Sequence, residues 1–137
     1  MPALEPLRCA HVVADPAAID DAHWYGVEVV LRLAPDEALG IGEFPDVETF
    51  DEHQIEMREI GFVWETGFAG CWLDHAELER DVLPHVEWSV PTERPALVQG
   101  AVAGVPAKIW LSDDKRVLVL TWAAYAHELS RRLGWSR

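Results

Sequence analysis

The sequence predicts an α+β fold, a mostly antiparallel sheet with two or three helices packed on one face. Apolar and polar residues alternate in several short runs, which is the period of half-buried strands. Tight turns join consecutive runs, and strands joined in this way are antiparallel. A marked helix start lies between the runs, at Asp74. A chain of 137 residues fits one globular domain, which we expect to span residues 1–137.

The N-terminal part of the chain is predicted to contain one long strand, residues 24–33, in which valines and leucines alternate with charged residues. A short strand at residues 11–14 and a helical turn precede it. Asp15 followed by Pro16 predicts the start of that turn, because aspartate caps a helix and proline suits its first position. Residues 35–45 contain glycines and two prolines, which favours a loop.

Residues 49–72 allow more than one interpretation. Thr49 and Glu52 have the spacing of a capping box, which would open a helix ending at Gly61. Residues 54–58 alternate as a strand does, and we favour a short helix at 49–53 that leads into a strand. Thr66 and Gly67 then supply the turn of a hairpin with aromatic strands.

The helix beginning at Asp74 carries the clearest local signals in the chain. Asp74 and Glu77 form a D-x-x-E capping box, and Leu73 and Leu78 have the spacing of a hydrophobic staple across it. Pro84 is expected to end this helix, because proline cannot donate the next hydrogen bond.

The C-terminal third is predicted to be β-β-β-α. The three strands cover residues 97–103, 107–111 and 117–121, and turn residues separate them. The helix is expected to run from about Trp122 to a stop at Gly134, because glycine suits the residue that follows a helix. Residues 86–90 are predicted to form one more strand.

The charge of the chain excludes several classes of function. Asp and Glu number 24 against 11 Lys and Arg, a formal net charge of -13. Nucleic acids and anionic lipid surfaces bind through clusters of Lys and Arg, so we expect neither as a partner. No apolar run is long enough to span a membrane. A strongly acidic chain can instead attract a basic protein.

Two cysteines, Cys9 and Cys71, do not form a disulfide framework. With no apolar leader at the start of the chain, we expect a reduced, cytoplasmic protein with buried thiols. Cys71 and His75 are four residues apart, but Asp74 begins the helix, so one helical face does not join them. No matched second pair completes a zinc site. We therefore predict no metal, no cofactor and, without a nucleophile or phosphate-loop motif, no catalytic residue.

Trp110 is one of seven tryptophans and has an unusual position in its strand. Alternation places Ile109 and Leu111 on one face and Trp110 with Lys108 on the other. Either both faces of the sheet are covered or Trp110 is exposed. An exposed aromatic side chain on a sheet, especially with neighbours such as Trp88 or Trp122, is typical of an interface.

Residues 61–75 could alternatively form a ligand pocket. Glycines allow close approach of a ligand to the backbone, and this segment combines them with aromatic residues and one carboxylate. The candidate residues are Trp64, Glu65, Trp72 and His75. The competing interpretation places the aromatic residues in the core.

These observations favour a protein-interaction module over an enzyme. We expect the chain to bind a protein partner or itself through an aromatic sheet face, and an inhibitor or immunity-type binder of a basic protein is a specific version. A small-ligand-binding, even catalytic, domain with an aromatic pocket around residues 61–75 is the alternative.

The net charge of -13 predicts negligible binding to duplex or single-stranded DNA at physiological salt, because few cations are available to displace counterions. Fluorescence anisotropy of labelled DNA checks this. Submicromolar binding that weakens steeply with added salt would contradict it.

Overall fold

The computed structural model describes residues 2–24, 27–42, 55–56 and 62–135. Backbone contacts divide the chain into two compact units, Met1–Leu7 with Gly67–Arg137 and, separately, Arg8–Thr66. We call them the larger and the smaller unit. The single domain expected over residues 1–137 stays a prediction.

The described elements follow one another from strand β1 to helix α3. In chain order they are β1 (Glu5–Pro6), β2 (Cys9–Val13), α1 (Pro16–Asp20), β3 (His23–Trp24), β4 (Val29–Ala34), β5 (Glu37–Ile41), β6 (Ile55–Glu56), β7 (Phe62–Glu65), β8 (Phe68–Leu73), α2 (His75–Glu77), β9 (Ala96–Val102), β10 (Val105–Leu111), β11 (Val117–Trp122) and α3 (Ala123–Arg132). A π-helical turn, Leu78–Val82, and a 3-10 turn, Leu83–His85, continue α2. None of the described helices has both the length and the apolar character that crossing a membrane requires.

The architecture is mostly antiparallel sheet with short helices, which agrees with the predicted α+β class. The larger unit contains a five-stranded sheet in the order β1-β8-β11-β10-β9, and the smaller unit contains a four-stranded sheet in the order β4-β5-β2-β7. Strands β3 and β6 form a separate pair. The strands are therefore divided between sheets, where the sequence suggested a single one.

The core of the larger unit lies on one face of its sheet. Alternate residues of β10 and β11 supply this face, including Ile109 and Val119, which are fully buried. Leu78 and Val82 from the turns after α2 pack into the same cluster, as does Leu129 from α3. Both helical segments of this unit thus cover the same face, because their apolar stripes and the strand alternation meet there.

The capping box at the start of α2 forms as predicted. The Asp74 carboxylate accepts a hydrogen bond from the Glu77 N–H at 2.7 Å, and the Glu77 carboxylate accepts one from the Asp74 N–H at 3.0 Å. Leu73 and Leu78 are both buried. Pro84 does not end the helical segment, since it lies inside the 3-10 turn that continues to His85.

The β-β-β-α segment is confirmed, with antiparallel pairing of β9, β10 and β11. Ala103 and Gly104 form the first turn with φ values of 50° and 79°, so Val105 and Pro106 belong to β10 and not to the turn. Gly134, at φ 76°, follows α3 as predicted. Residues 86–90 do not form the predicted strand.

In the smaller unit, the cap of α1 is confirmed and two other predictions are wrong. Asp15 accepts a hydrogen bond from the Ala17 N–H at 3.0 Å. The strand predicted at residues 24–33 is divided into β3 and β4, since Val27 and Glu28 are not in a strand. Part of the loop predicted at residues 35–45 is strand β5. The helix expected at residues 49–53 lies outside the described residues.

Gly40 lies in strand β5 at a position where a neighbouring side chain approaches the backbone closely. A Cβ atom at this position would lie 2.5 Å from the ring of Trp24, so the glycine makes room for an indole that packs on the strand. A glycine in a strand often marks such a close approach. The glycine that suggested a loop is therefore a packing position.

The hairpin expected around Thr66 and Gly67 does not form. Strand β7 pairs with β2 in the smaller unit, whereas β8 pairs with β1 and β11 in the larger unit. Thr66 and Gly67 connect two different sheets. Two strands that follow each other in the chain form a hairpin only when they pair with each other.

Replacing Asp74 by alanine should destabilise the fold by about 1 kcal/mol, because the Glu77 N–H in the first turn loses its acceptor. Leu78→Ala should cost about 2 to 5 kcal/mol, because it leaves a cavity in the core. Urea denaturation measures both. Asp113→Ala, at an exposed position of the β10–β11 loop, is the control and should change stability by less than about 0.5 kcal/mol; equal effects at both aspartates would contradict the role of the cap.

Candidate functional site

The face of the larger unit's sheet opposite its helices carries two of the predicted site residues. We call it the Trp110 face. Leu118 in β11 pairs with Trp72 in β8 on one side and with Trp110 in β10 on the other. Directly opposite residues of neighbouring strands point to the same face, so Trp72, Leu118 and Trp110 form one row, which Leu97 of β9 extends.

The Trp110 ring is half-buried within this row. Its Nε1 atom is buried and has no hydrogen-bond acceptor among the residues that the structure describes. The neighbouring Leu118 is fully buried, so the middle of this face is covered. A buried indole N–H without an acceptor costs free energy. The Trp110 N–H is therefore an unsatisfied donor in an otherwise apolar row.

Trp72, in strand β8 at one end of this row, contacts the side chain of Arg116 from the β10–β11 loop. The guanidinium carbon of Arg116 lies 4.4 Å from the centre of the Trp72 ring, within the range of a cation–π interaction. The Arg116 side chain also donates to Asp114 at 2.7 Å, and this hydrogen bond lowers the pKa of the Asp114 carboxyl. Trp72 is therefore held by packing and charge within the larger unit.

His75 lies apart from these rings, at the exposed start of α2. Its Nε2 atom is 2.9 Å from a carboxylate oxygen of Glu79, one helical turn further on. Its Nδ1 atom is 3.5 Å from the guanidinium of Arg94. Cys71 is buried in the core cluster. Within the described part of the chain, no group of three or more His, Cys, Asp or Glu side chains has an arrangement suited to a metal ion.

The remaining two predicted residues, Trp64 and Glu65, belong to strand β7 of the smaller unit. The side chain of Trp64 lies outside the described atoms. Glu65 is half-buried and pairs across the sheet with Cys9. Burial raises the pKa of the Cys9 thiol to about 12, and the negative charge of Glu65 adds to this effect.

A groove of about 360 Å³ opens near the turn end of the Trp110 face. Trp122 and Phe68 form one side as stacked rings, with centroids 4.1 Å apart and planes at 14°. Leu120 lies at its base, and Lys108 and Gln99 line it as well. The other lining residues are small or contribute backbone: Gly100, Ala101, Gly104, Pro106, Ala107 and Thr121.

Of the residues that line this groove, the sequence indicated only Lys108 and Trp122, as neighbours of Trp110. Strand alternation in β11 places Trp122 on the same face as Leu118 and Leu120, and this signal was available. Phe68 joins the groove only because β8 pairs with β11, with Phe68 opposite Trp122. That pairing joins segments far apart in the chain, so local patterns do not predict it.

Trp122 and Tyr125 are exposed aromatic residues of the larger unit. They are 46% and 44% exposed and lie three residues apart in the chain, where β11 ends and α3 begins. Trp122 precedes α3 and supplies no side-chain cap. Helix capping does not require an aromatic residue at either position.

Comparison with known proteins identifies a structural likeness and no family. No protein-family model matches the chain, and no curated protein matches it. One chain of the heterotetrameric sarcosine oxidase from Corynebacterium sp. U-96, solved in complex with pyrrole 2-carboxylate, has a similar structure with a TM-score of 0.69. The two share 13% identity over 94% of this chain and 78% of that one, so the likeness concerns the fold alone.

The raised pKa of Cys9 predicts a loss of stability in alkaline solution. Below pH 9 the thiol is protonated in both the folded and the unfolded chain. Between about pH 9 and 12 the unfolded thiol ionises while the folded one keeps its proton, so unfolding releases a proton and stability falls as the pH rises, by at most about 1.4 kcal/mol per pH unit.

Urea denaturation of the wild-type chain and of Cys9→Ala at pH 8 and pH 10.5 measures this contribution. The wild-type chain should lose more stability over that interval than Cys9→Ala, because the other ionisable groups are common to both. Parallel losses in the two proteins would contradict the assignment.

Proposed function

We propose that the chain is a protein-interaction module that binds a protein partner, or a second copy of itself, through its exposed aromatic residues. The exposure of Trp122 and Tyr125 carries this proposal. Aromatic side chains dominate the binding energy of many interfaces, because each buries a large area at a small entropic cost. Because Trp122 and Tyr125 lie three residues apart in the chain, one interface can contact both rings.

The aromatic residues proposed for the interface differ from the one that the sequence suggested. Trp110 was the candidate interface residue if its side of the sheet is exposed, but its indole N–H is buried, which leaves less of the ring for a partner to cover. Trp122 offers nearly half of its side chain. In this proposal, Trp110 contacts a partner only at the edge of the surface around Trp122.

Charge supports a basic partner. The net charge of -13 would speed association with a positively charged surface through long-range attraction. An inhibitor or immunity-type binder of a basic protein in the cytoplasm is the specific version that we propose. The similar chain from Corynebacterium belongs to a heterotetramer, which is compatible with a module that functions in an assembly.

The alternative is a small-ligand-binding domain with an aromatic pocket around residues 61–75. One observation favours it, since Phe68 from this segment lines the groove on the Trp110 face. Trp72 and His75 do not line that groove, and Trp64 and Glu65 belong to the smaller unit. The groove therefore supports ligand binding at a different set of residues.

The double variant Trp122→Ala, Tyr125→Ala should lose association while it keeps its fold. Each truncation at an interface centre often costs about 2 kcal/mol of binding, whereas exposed positions contribute little to folding. Light scattering measures self-association, and cross-linking in the source cells followed by quantitative mass spectrometry measures capture of a stoichiometric partner.

The control is Val13→Ala with Val63→Ala, which removes exposed apolar area in the smaller unit, where each valine is 62% exposed. It should leave association unchanged. If the control and the aromatic double variant behave alike in both measurements, the proposed surface is wrong.

A further inference from the structure

The groove on the Trp110 face exists because side-chain size falls along the β9–β10 hairpin. Across these strands, Leu97 faces Trp110, Gln99 faces Lys108, and Ala101 faces Pro106 near the turn. Large apolar side chains thus give way to a lysine–glutamine pair and then to small residues. Protein interiors are close-packed, so this decrease leaves a concave space of about 360 Å³, a volume that suits a small molecule.

One wall of the groove consists of two stacked aromatic rings. Phe68 is 4% exposed and stacks on Trp122, which is 46% exposed. The buried ring supports the indole from behind and fixes its plane. A planar apolar ring in the groove would gain an offset-stacking contact with Trp122 in addition to the burial of its area.

The charge of the groove is opposite to the charge of the chain. Lys108 is the one ionisable side chain among the described residues that line it, in a chain with a net charge of -13. The Lys108 ammonium donates to the Gln99 carbonyl oxygen at 2.7 Å. This hydrogen bond uses one of its three donors and turns the Gln99 amide group so that its N–H donors remain for an acceptor.

We propose that this groove binds a small planar anion, whose apolar ring lies against Trp122 and whose carboxylate or phosphate group accepts hydrogen bonds from Lys108 and the Gln99 amide. A lysine at the edge of an apolar groove binds an anion more strongly than the same lysine in open water, because hydrogen bonds between ionised groups strengthen as water is excluded. The buried Thr121 hydroxyl already donates to the Pro106 carbonyl at 2.8 Å, so the polar contacts come from Lys108 and Gln99.

This site is independent of the proposed protein interface, although Trp122 borders both. Tyr125 does not line the groove. Tyr125→Ala should therefore weaken partner binding and leave binding of the small anion unchanged. The two proposals can fail separately.

The test is a titration of the ¹⁵N-labelled full chain followed by nuclear magnetic resonance. Seven tryptophans give up to seven indole N–H signals, and Trp122→Phe identifies the signal of Trp122. The probes are 2-naphthoate, 2-naphthyl phosphate and the neutral 2-naphthamide, which share one ring system. We expect saturable shifts of the Trp122 signal with the anions, and the tighter of the two anions identifies the preferred acidic group.

A matched pair of variants tests the charge. Lys108→Met keeps the apolar stem and removes the ammonium, and it should weaken binding of the preferred anion about tenfold or more, as expected for a charged hydrogen bond. Lys115→Met makes the same change in an exposed loop at the other end of β10 and should leave the affinity unchanged. Ala101→Phe, which fills the groove from an exposed strand position, should abolish binding of all three probes while the chain remains folded.

Three results would overturn the proposal. One is the absence of a saturable shift with any probe. Another is equal affinity for the neutral amide and both anions. The third is an equal loss of affinity in Lys108→Met and Lys115→Met, because a general effect of net charge would then explain the binding.

Discussion

The burial of β11 on both faces is the constraint on which the larger unit depends. Val117, Leu118 and Val119 are fully buried, and Leu120 is 1% exposed. A strand buried on both faces must lie between other strands, since its polar backbone groups need partners away from water. Strands β8 and β10 satisfy them. Their register then decides which residues share each face of the sheet.

The two faces consequently have different roles. On one face, alternate valines of β11 meet the apolar residues of α3 and of the helical turns after α2, and this packing supplies stability. On the Trp110 face, the same register makes side-chain size fall along β9 and β10, from Leu97 and Trp110 at one end to Ala101 and Pro106 at the other. The groove and its polar pair, Lys108 and Gln99, result from this gradient and not from any dedicated loop.

The proposed functions use side chains that the fold does not require. Trp122 and Tyr125 are exposed at a junction where helix capping does not call for an aromatic residue. Lys108 is a cation in an acidic chain, and it is the one ionisable side chain among the described residues that line the groove. Residues without a structural reason for their type are the best candidates for binding, which is why these positions carry the proposals and the buried cysteines do not.

The sequence by itself determined what depends on neighbours a few residues away. The Asp74 capping box, the Asp15 cap and the alternation in β10 formed as predicted, because their interactions span at most a few positions. Only the tertiary structure decided what depends on distant partners. Trp24 packs against Gly40, β7 and β8 join different sheets, and Phe68 meets Trp122 across β8 and β11. These contacts join segments whose separation along the chain leaves no local pattern, so sequence periodicity predicts the strands but not the groove that they enclose.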